Sequence, residues 1–221
     1  MLTRPTALIF DMDGLLLDTE GGYKRSWTVA ATALGGDLTD ELYLKLIGIT
    51  VADAEQFLAR EFGPTFPLEN FKESARLGYE AIVSEEGIPL KSGVVEILDW
   101  ASANGVPCGV GTSTVTAEAT ERLEGHGLRD RFSALVGGDQ VAKGKPDPEI
   151  FLKVAKGLAV TPGEALVFED AHSGVRAAAA GGFQIALIPD LLPATPEISS
   201  LCTRTFASLH EAQSWLETLP A

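Results

Sequence analysis

Hydrophobic positions along this chain keep two rhythms and a boundary that is easy to see. Ala7-Leu8-Ile9-Phe10 is a short continuous apolar run, which reads as a strand buried on both faces in the middle of a parallel sheet. Helical spacing follows. Trp27, Ala30, Ala31 and Leu34 recur along one face from about Tyr23 to Leu34, where Gly35-Gly36 ends the segment. Leu38 to Leu46, Ala52 to Phe62 and Leu68 to Ser84 continue in the same period, with no convincing strand among them. From Ser92 the pattern alternates. A helix over Val94 to Ala101 closes at Asn104-Gly105, and strands over Val106–Gly111, Ala134–Gly137, Ala165–Phe168 and Gln184–Ile188 are separated by helices over Val115–Gly125, Pro148–Leu158 and Gly174–Ala180. This pattern predicts an α/β fold, a doubly wound parallel sheet with right-handed crossovers, carrying a helical block between its first and second strands.

Polar clusters should then recur at the carboxyl ends of the strands, where open α/β sheets bind ligands. They do: Asp11 and Asp13 follow the first strand, Thr112 and Ser113 the second, Glu169 and Asp170 the fourth. Two acids at the end of a buried strand cannot remain in a dry core unpaired, so they must emerge beside a cation. A carboxylate is a competent nucleophile toward phosphorus, and a second one nearby can move the proton of the leaving or attacking oxygen. Asp-x-Asp-Gly is equally compatible with a turn or a helix cap, and Thr and Ser are ordinary N-caps.

Composition narrows the choice. The 221 residues suit a main domain with an insertion, and 45% apolar content supports a real core. With 17 Lys and Arg against 31 Asp and Glu, the net charge of −14 argues against nucleic acid or an anionic membrane as a partner. An acidic protein that handles phosphate must gather positive charge locally, from Lys or from a metal ion. Cys108 and Cys202 give no disulfide framework or zinc spacing, and neither a membrane span nor a signal peptide is evident, so a cytoplasmic setting is expected. His126, His172 and His210 lack metal-ligand spacing; His172 reads as a solvated loop residue, and Trp27, Trp100 and Trp215 as packing residues.

Taken together, Asp11-Met12-Asp13-Gly14, Thr112-Ser113, Gly144-Lys145-Pro146-Asp147-Pro148 and Phe168-Glu169-Asp170 resemble, in order and spacing, the four motifs of the haloacid dehalogenase superfamily. The resemblance implies a Rossmannoid core over residues 1–16 and 90–221 and a helical cap over 17–89. It implies a phosphoric monoester hydrolase in which Asp11 is the nucleophile and Asp13 the general acid and base. Mg²⁺ would be held by Asp11, the Asp13 backbone carbonyl, Asp170 and, directly or through water, Glu169. Thr112, Ser113 and Lys145 would hold the phosphoryl group, Lys145 also restraining Asp11. One Mg²⁺ and Lys145 would bring the acidic site close to neutral, answering the charge question. Leu15 to Glu20 and Gly87 to Ser92 would be hinges, with Thr19, Glu20, Tyr23 and Arg76 as candidates to face the substrate.

Within the superfamily the chain is similar to the subgroup of β-phosphoglucomutase, phosphoglycolate phosphatase and pseudouridine-5′-phosphatase. Tyr23 stands where mutase-like chains carry a cap His, and Val51 where they carry an Arg, so a phosphatase acting on a small phosphorylated metabolite is expected ahead of a sugar phosphomutase. The second aspartate, Asp13, counts against a dehalogenase. A non-catalytic binding module is the alternative of another class. No nucleic-acid or membrane partner is expected, and a monomer is the default.

Overall fold

The first apolar run forms strand β1 (Ala7–Phe10) in the computed structural model, which describes residues 3–47 and 51–220. Four helices follow: α1 (Glu20–Ala33), α2 (Asp40–Leu44), α3 (Val51–Phe62) and α4 (Leu68–Glu86). The alternating part then runs α5 (Val94–Ala103), β2 (Cys108–Gly111), α6 (Thr116–Gly125), β3 (Ala134–Val136), α7 (Glu149–Gly157), β4 (Ala165–Glu169), α8 (His172–Ala180), β5 (Gln184–Leu187), α9 (Pro196–Leu201), β6 (Arg204–Thr205) and α10 (Leu209–Thr218). Contacts divide the chain into two units, Met1–Leu17 with Leu90–Ala221, and Asp18–Pro89. Gly48, Ile49, Thr50 and the Val51 side chain lie outside the described residues.

All strands of the larger unit are parallel, in the order β3-β2-β1-β4-β5-β6. The order reverses between β1 and β4, which is the switch point where loops diverge and leave a crevice at the carboxyl ends. Period-two alternation divides each strand between two cores. Ala7, Ile9, Val167 and Ile185 pack with Phe151, Val154 and Val175 from α7 and α8. On the other face Phe10 stacks on Phe168 at 4.9 Å. Each such side chain, fully buried, contributes about 1.5–3 kcal/mol. β2 carries two glycines because α7 lies close: a Cβ at Gly109 would sit 2.6 Å from Val154 Cγ1, and one at Gly111 3.1 Å from Phe151. That approach holds α7, and the loop before it, against the sheet.

In the smaller unit α1 packs along α4. Tyr23 stacks on Tyr79 (3.9 Å, 3°) and Trp27 meets Phe71 edge-on at 5.5 Å. Gly22 permits this, since a Cβ there would lie 2.9 Å from the Tyr79 ring. The helix starts at Glu20, earlier than the pattern predicts, and Gly22 within it serves as a point of close packing. Among the described residues, no helix is long and apolar enough to cross a membrane.

Candidate active site

β1 and β4 pair in register from Ala7–Ala165 to Phe10–Phe168, so Asp11 and Glu169-Asp170 leave the sheet side by side. The Asp11 amide donates to Phe168 O at 3.0 Å and fixes that exit. Gly14, at φ +89°, turns the chain back, and a Cβ there would lie 2.3 Å from Asp170 Oδ2. The Asp13-Gly14 backbone is thereby placed against Asp170.

Lys145 supplies the cation. Its ammonium donates to Asp11 Oδ1 and to Glu169 Oε1, the latter at 2.6 Å, and lies over the Phe151 ring at 4.7 Å. The loop that carries it is braced by Glu149, whose Oε2 accepts from the Ala142 and Lys143 amides, and by Asp147, which accepts from the Glu149 amide. Glu169 is fully buried, and its Oε2 accepts from the Asp170 and Ala171 amides at 3.0 and 2.9 Å. Gly174, the third residue of α8, makes room for it: a Cβ there would overlap Glu169 Oε1 at 1.6 Å.

Two buried carboxylates, Asp11 and Glu169, thus share one lysine, with Asp170 next to Glu169 in the chain. Burial, only partly offset by Lys145, pushes the Asp11 carboxyl up to about 7. Burial together with Glu169 and Asp11 pushes Asp170 well above the ordinary carboxylate range, and its Oδ1 is buried without a hydrogen-bond partner. Burial works against the Lys145 charge, but Asp11 and Glu169 outweigh it and hold the ammonium above its ordinary range. An orphaned acid oxygen beside surplus negative charge is what a hard divalent cation would relieve, so the residues present fit Mg²⁺. No three His, Cys, Asp or Glu side chains among the described residues are grouped so that they could hold a metal ion, so Asp11 and Asp170 would need backbone and water oxygens to complete a donor set. Both Glu169 oxygens already accept hydrogen bonds, Oε1 from Lys145 and Oε2 from the Asp170 and Ala171 amides.

Asp13 points elsewhere than Asp11. Its Oδ2 accepts from Thr112 Oγ1 (3.1 Å) and Thr114 Oγ1 (2.7 Å), and its Oδ1 from Arg122 Nη1 at 2.6 Å. Thr112 is buried and also accepts from the Thr114 amide; Ser113 is exposed. Sequence reading missed Thr114, Arg122 and Asp190. Thr114 could have been suspected from its neighbours Thr112-Ser113. Arg122 pairs with Glu118 one turn back, which looks like an ordinary helix-surface pair. Asp190 sits near Gly14 with its Oδ1 on Lys91 at 2.7 Å, far from any motif in sequence.

In the helical unit, Glu20 Oε2 accepts from Tyr43 Oη at 3.0 Å and Tyr23 is stacked on Tyr79. Thr19 is buried before α1. Arg76 is not gathered with them: it binds Glu73 and Glu80 on the exposed face of its own helix. His172 begins α8, with its ring on Pro193 O at 3.2 Å.

A family model described as haloacid dehalogenase-like hydrolase matches residues 8–188. A phosphorylated carbohydrates phosphatase from Thermotoga maritima is 37% identical over 80% of this chain and 82% of its own. A fructose-1-phosphate phosphatase from Escherichia coli is 33% identical over 82% and 95%. A crystal structure from Thermotoga maritima, provisionally named a β-phosphoglucomutase, superposes with a TM-score of 0.79 at 32% identity, covering 96% of this chain and 98% of that one.

Proposed function

The chain belongs to the haloacid dehalogenase-like hydrolases, and from that premise we propose that it is a Mg²⁺-dependent phosphatase forming an aspartyl-phosphate on Asp11. Its substrate is a small phosphate monoester, a sugar phosphate or a similar metabolite. The observation that carries this reading is the buried Lys145 clamped between Asp11 and Glu169 at the switch point, beside the orphaned oxygen of Asp170. Relatives named for phosphorylated-carbohydrate and fructose-1-phosphate hydrolysis support the substrate class.

Mg²⁺ held by Asp11, Asp170 and the Asp13 carbonyl, with Glu169 acting through water, would offset charge on the phosphoryl oxygens. Lys145 restrains Asp11 and adds a fixed positive charge to the same group. Thr112 and the Ser113 amide hold phosphoryl oxygens at the entry to α6. An Asp11 oxygen forms its bond to phosphorus as the ester oxygen leaves, and Asp13 gives that oxygen a proton. Water then attacks phosphorus, Asp13 takes its proton, and the Asp11–phosphorus bond breaks. We assign the cap role to the helical unit, residues 17–89, because both crossings between units fall beside the Leu17–Leu90 bridge that follows β1. Glu20 and Tyr23 are its candidates for selecting the ester. Nothing in the scheme requires nucleic acid, a membrane or a second subunit, and two free cysteines suit a reducing cytoplasm.

A mutase is the second reading, favoured by the β-phosphoglucomutase-like structure. Tyr23, stacked on Tyr79, offers no imidazole and weighs against it. Phosphate release from p-nitrophenyl phosphate and a panel of sugar phosphates tests both. Hydrolysis should require Mg²⁺ and fall at least about 10³-fold in Asp11→Asn. Isomerised sugar phosphate that needs a bisphosphate primer would establish the mutase, and a wild type inert on the whole panel would favour a binding module.

A further inference from the structure

The two oxygens of Asp13 are held in different ways. Oδ2 accepts from two neutral hydroxyls, those of Thr112 and Thr114, while Oδ1 accepts from the guanidinium of Arg122 at 2.6 Å. The bond to Arg122 joins two opposite charges, whereas the hydroxyls are neutral donors that can rotate to another acceptor, so Oδ1 is the anchored oxygen and Oδ2 the exchangeable one. Arg122 is no loose surface arginine: its side chain is 10% exposed, and its other terminal nitrogen is tied to Glu118 one turn earlier.

Building on the phosphatase reading, we infer that Arg122 is a positioning residue for Asp13, anchoring Oδ1 so that Oδ2 is the oxygen that delivers the proton to the leaving group. Thr112 connects this to substrate arrival. Its hydroxyl has one hydrogen, which here goes to Asp13. When that hydrogen turns to a phosphoryl oxygen, Oδ2 loses one of its two donors and becomes available to the ester oxygen. Through the exchange Arg122 keeps the carboxyl group from rotating. A proton carried on Oδ2 then passes to the ester oxygen as the phosphorus–oxygen bond breaks.

Leaving groups that differ in basicity test the assignment. Phenyl phosphate and p-nitrophenyl phosphate are similar in size, but phenoxide is the poorer leaving group and depends more on the proton. The readout is the ratio of kcat/KM for phenyl over p-nitrophenyl phosphate, which covers steps through departure of the phenol. Arg122→Ala should lower this ratio about tenfold, with Arg122→Lys recovering part of it. Glu118→Gln, which loosens Arg122 from a half-exposed position without touching Asp13, should lower it about twofold and keeps the test open if Arg122→Ala does not fold. Equal losses on both esters, or a ratio that stays put or rises, would overturn the assignment while leaving the phosphatase reading intact. A wild type that hydrolyses neither these aryl esters nor any sugar phosphate of the panel in Mg²⁺ would overturn the phosphatase reading itself, and this assignment with it.

Discussion

Two lysines in this molecule each lie between two carboxylates, one in each unit, and their surroundings separate their roles. Lys72 on α4 reaches Glu55 at 2.7 Å and Glu69 at 2.5 Å with 40% of its side chain exposed. Lys145 reaches Asp11 and Glu169 with 6% exposed. Water and salt screen the first arrangement, as they do Arg25–Glu86 and Arg76–Glu73 in the same helical unit. At Lys145 the charges are held in direct contact and out of reach of bulk solvent, so each depends on the others being present. The contrast shows that ion pairs in themselves do not mark a site. What marks it is charge kept in a place where it is costly to keep.

The sharpest way to break the comparison is to remove each amine. Lys145→Met leaves Asp11 and Glu169 uncompensated; it should destabilise the fold by about 3–5 kcal/mol in denaturant melts. It should also cut phosphate release at least about 10²-fold. Metal comes next. Chelation should abolish turnover and Mg²⁺ restore it, and Mg²⁺ at about 100 times its Kd should add about 2.7 kcal/mol of stability to the wild type and much less to Asp170→Asn. A wild type whose melting is indifferent to Mg²⁺ would remove the cation from the buried cluster.

A smaller effect follows from pH. Burial raises Asp11 from its ordinary 3.8 to about 7, so between those values the folded protein keeps a proton that the unfolded chain has lost. Stability of the metal-free protein should therefore fall as pH rises through that window and level off above it, Asp170 adding the same sign. Asp11→Asn should flatten the slope, and thermal melts at pH 5 and pH 8 would show it; a wild type that gains stability over this interval would contradict the burial effect. The smallest effect is expected at the other lysine. Lys72→Met should leave the melting temperature unchanged, and a drop comparable to that of Lys145→Met would erase the distinction between the two.

The sheet was legible because its first five strands are apolar runs bounded by polar residues and glycines, a pattern that buried parallel strands require. β6 was not, since Arg204-Thr205 is two exposed residues whose pairing with β5 leaves no hydrophobic trace. That Asp11, Glu169 and Asp170 leave the sheet side by side was legible because strand ends and motif spacing both point to them, whereas Lys145 was legible from motif spacing alone. Arg122 could not: its contact with Asp13 spans 109 residues of sequence, and on its own helix it looks like half of a surface pair. Arg76, named as a candidate to face the substrate, has a local pairing that sequence alone did not weigh. In the structure the acids three residues before and four after it bind its guanidinium.

Gly174 makes the carboxyl end of the sheet vulnerable from behind. Because the carboxylate of Glu169 fills the space a methyl group would take, even alanine at this position would evict that side chain, and the lysine that leans on it would follow. An uncharged, solvent-hidden carbon on α8 is therefore a point from which, on the proposed function, the enzyme should be silenced with every polar side chain still in the sequence.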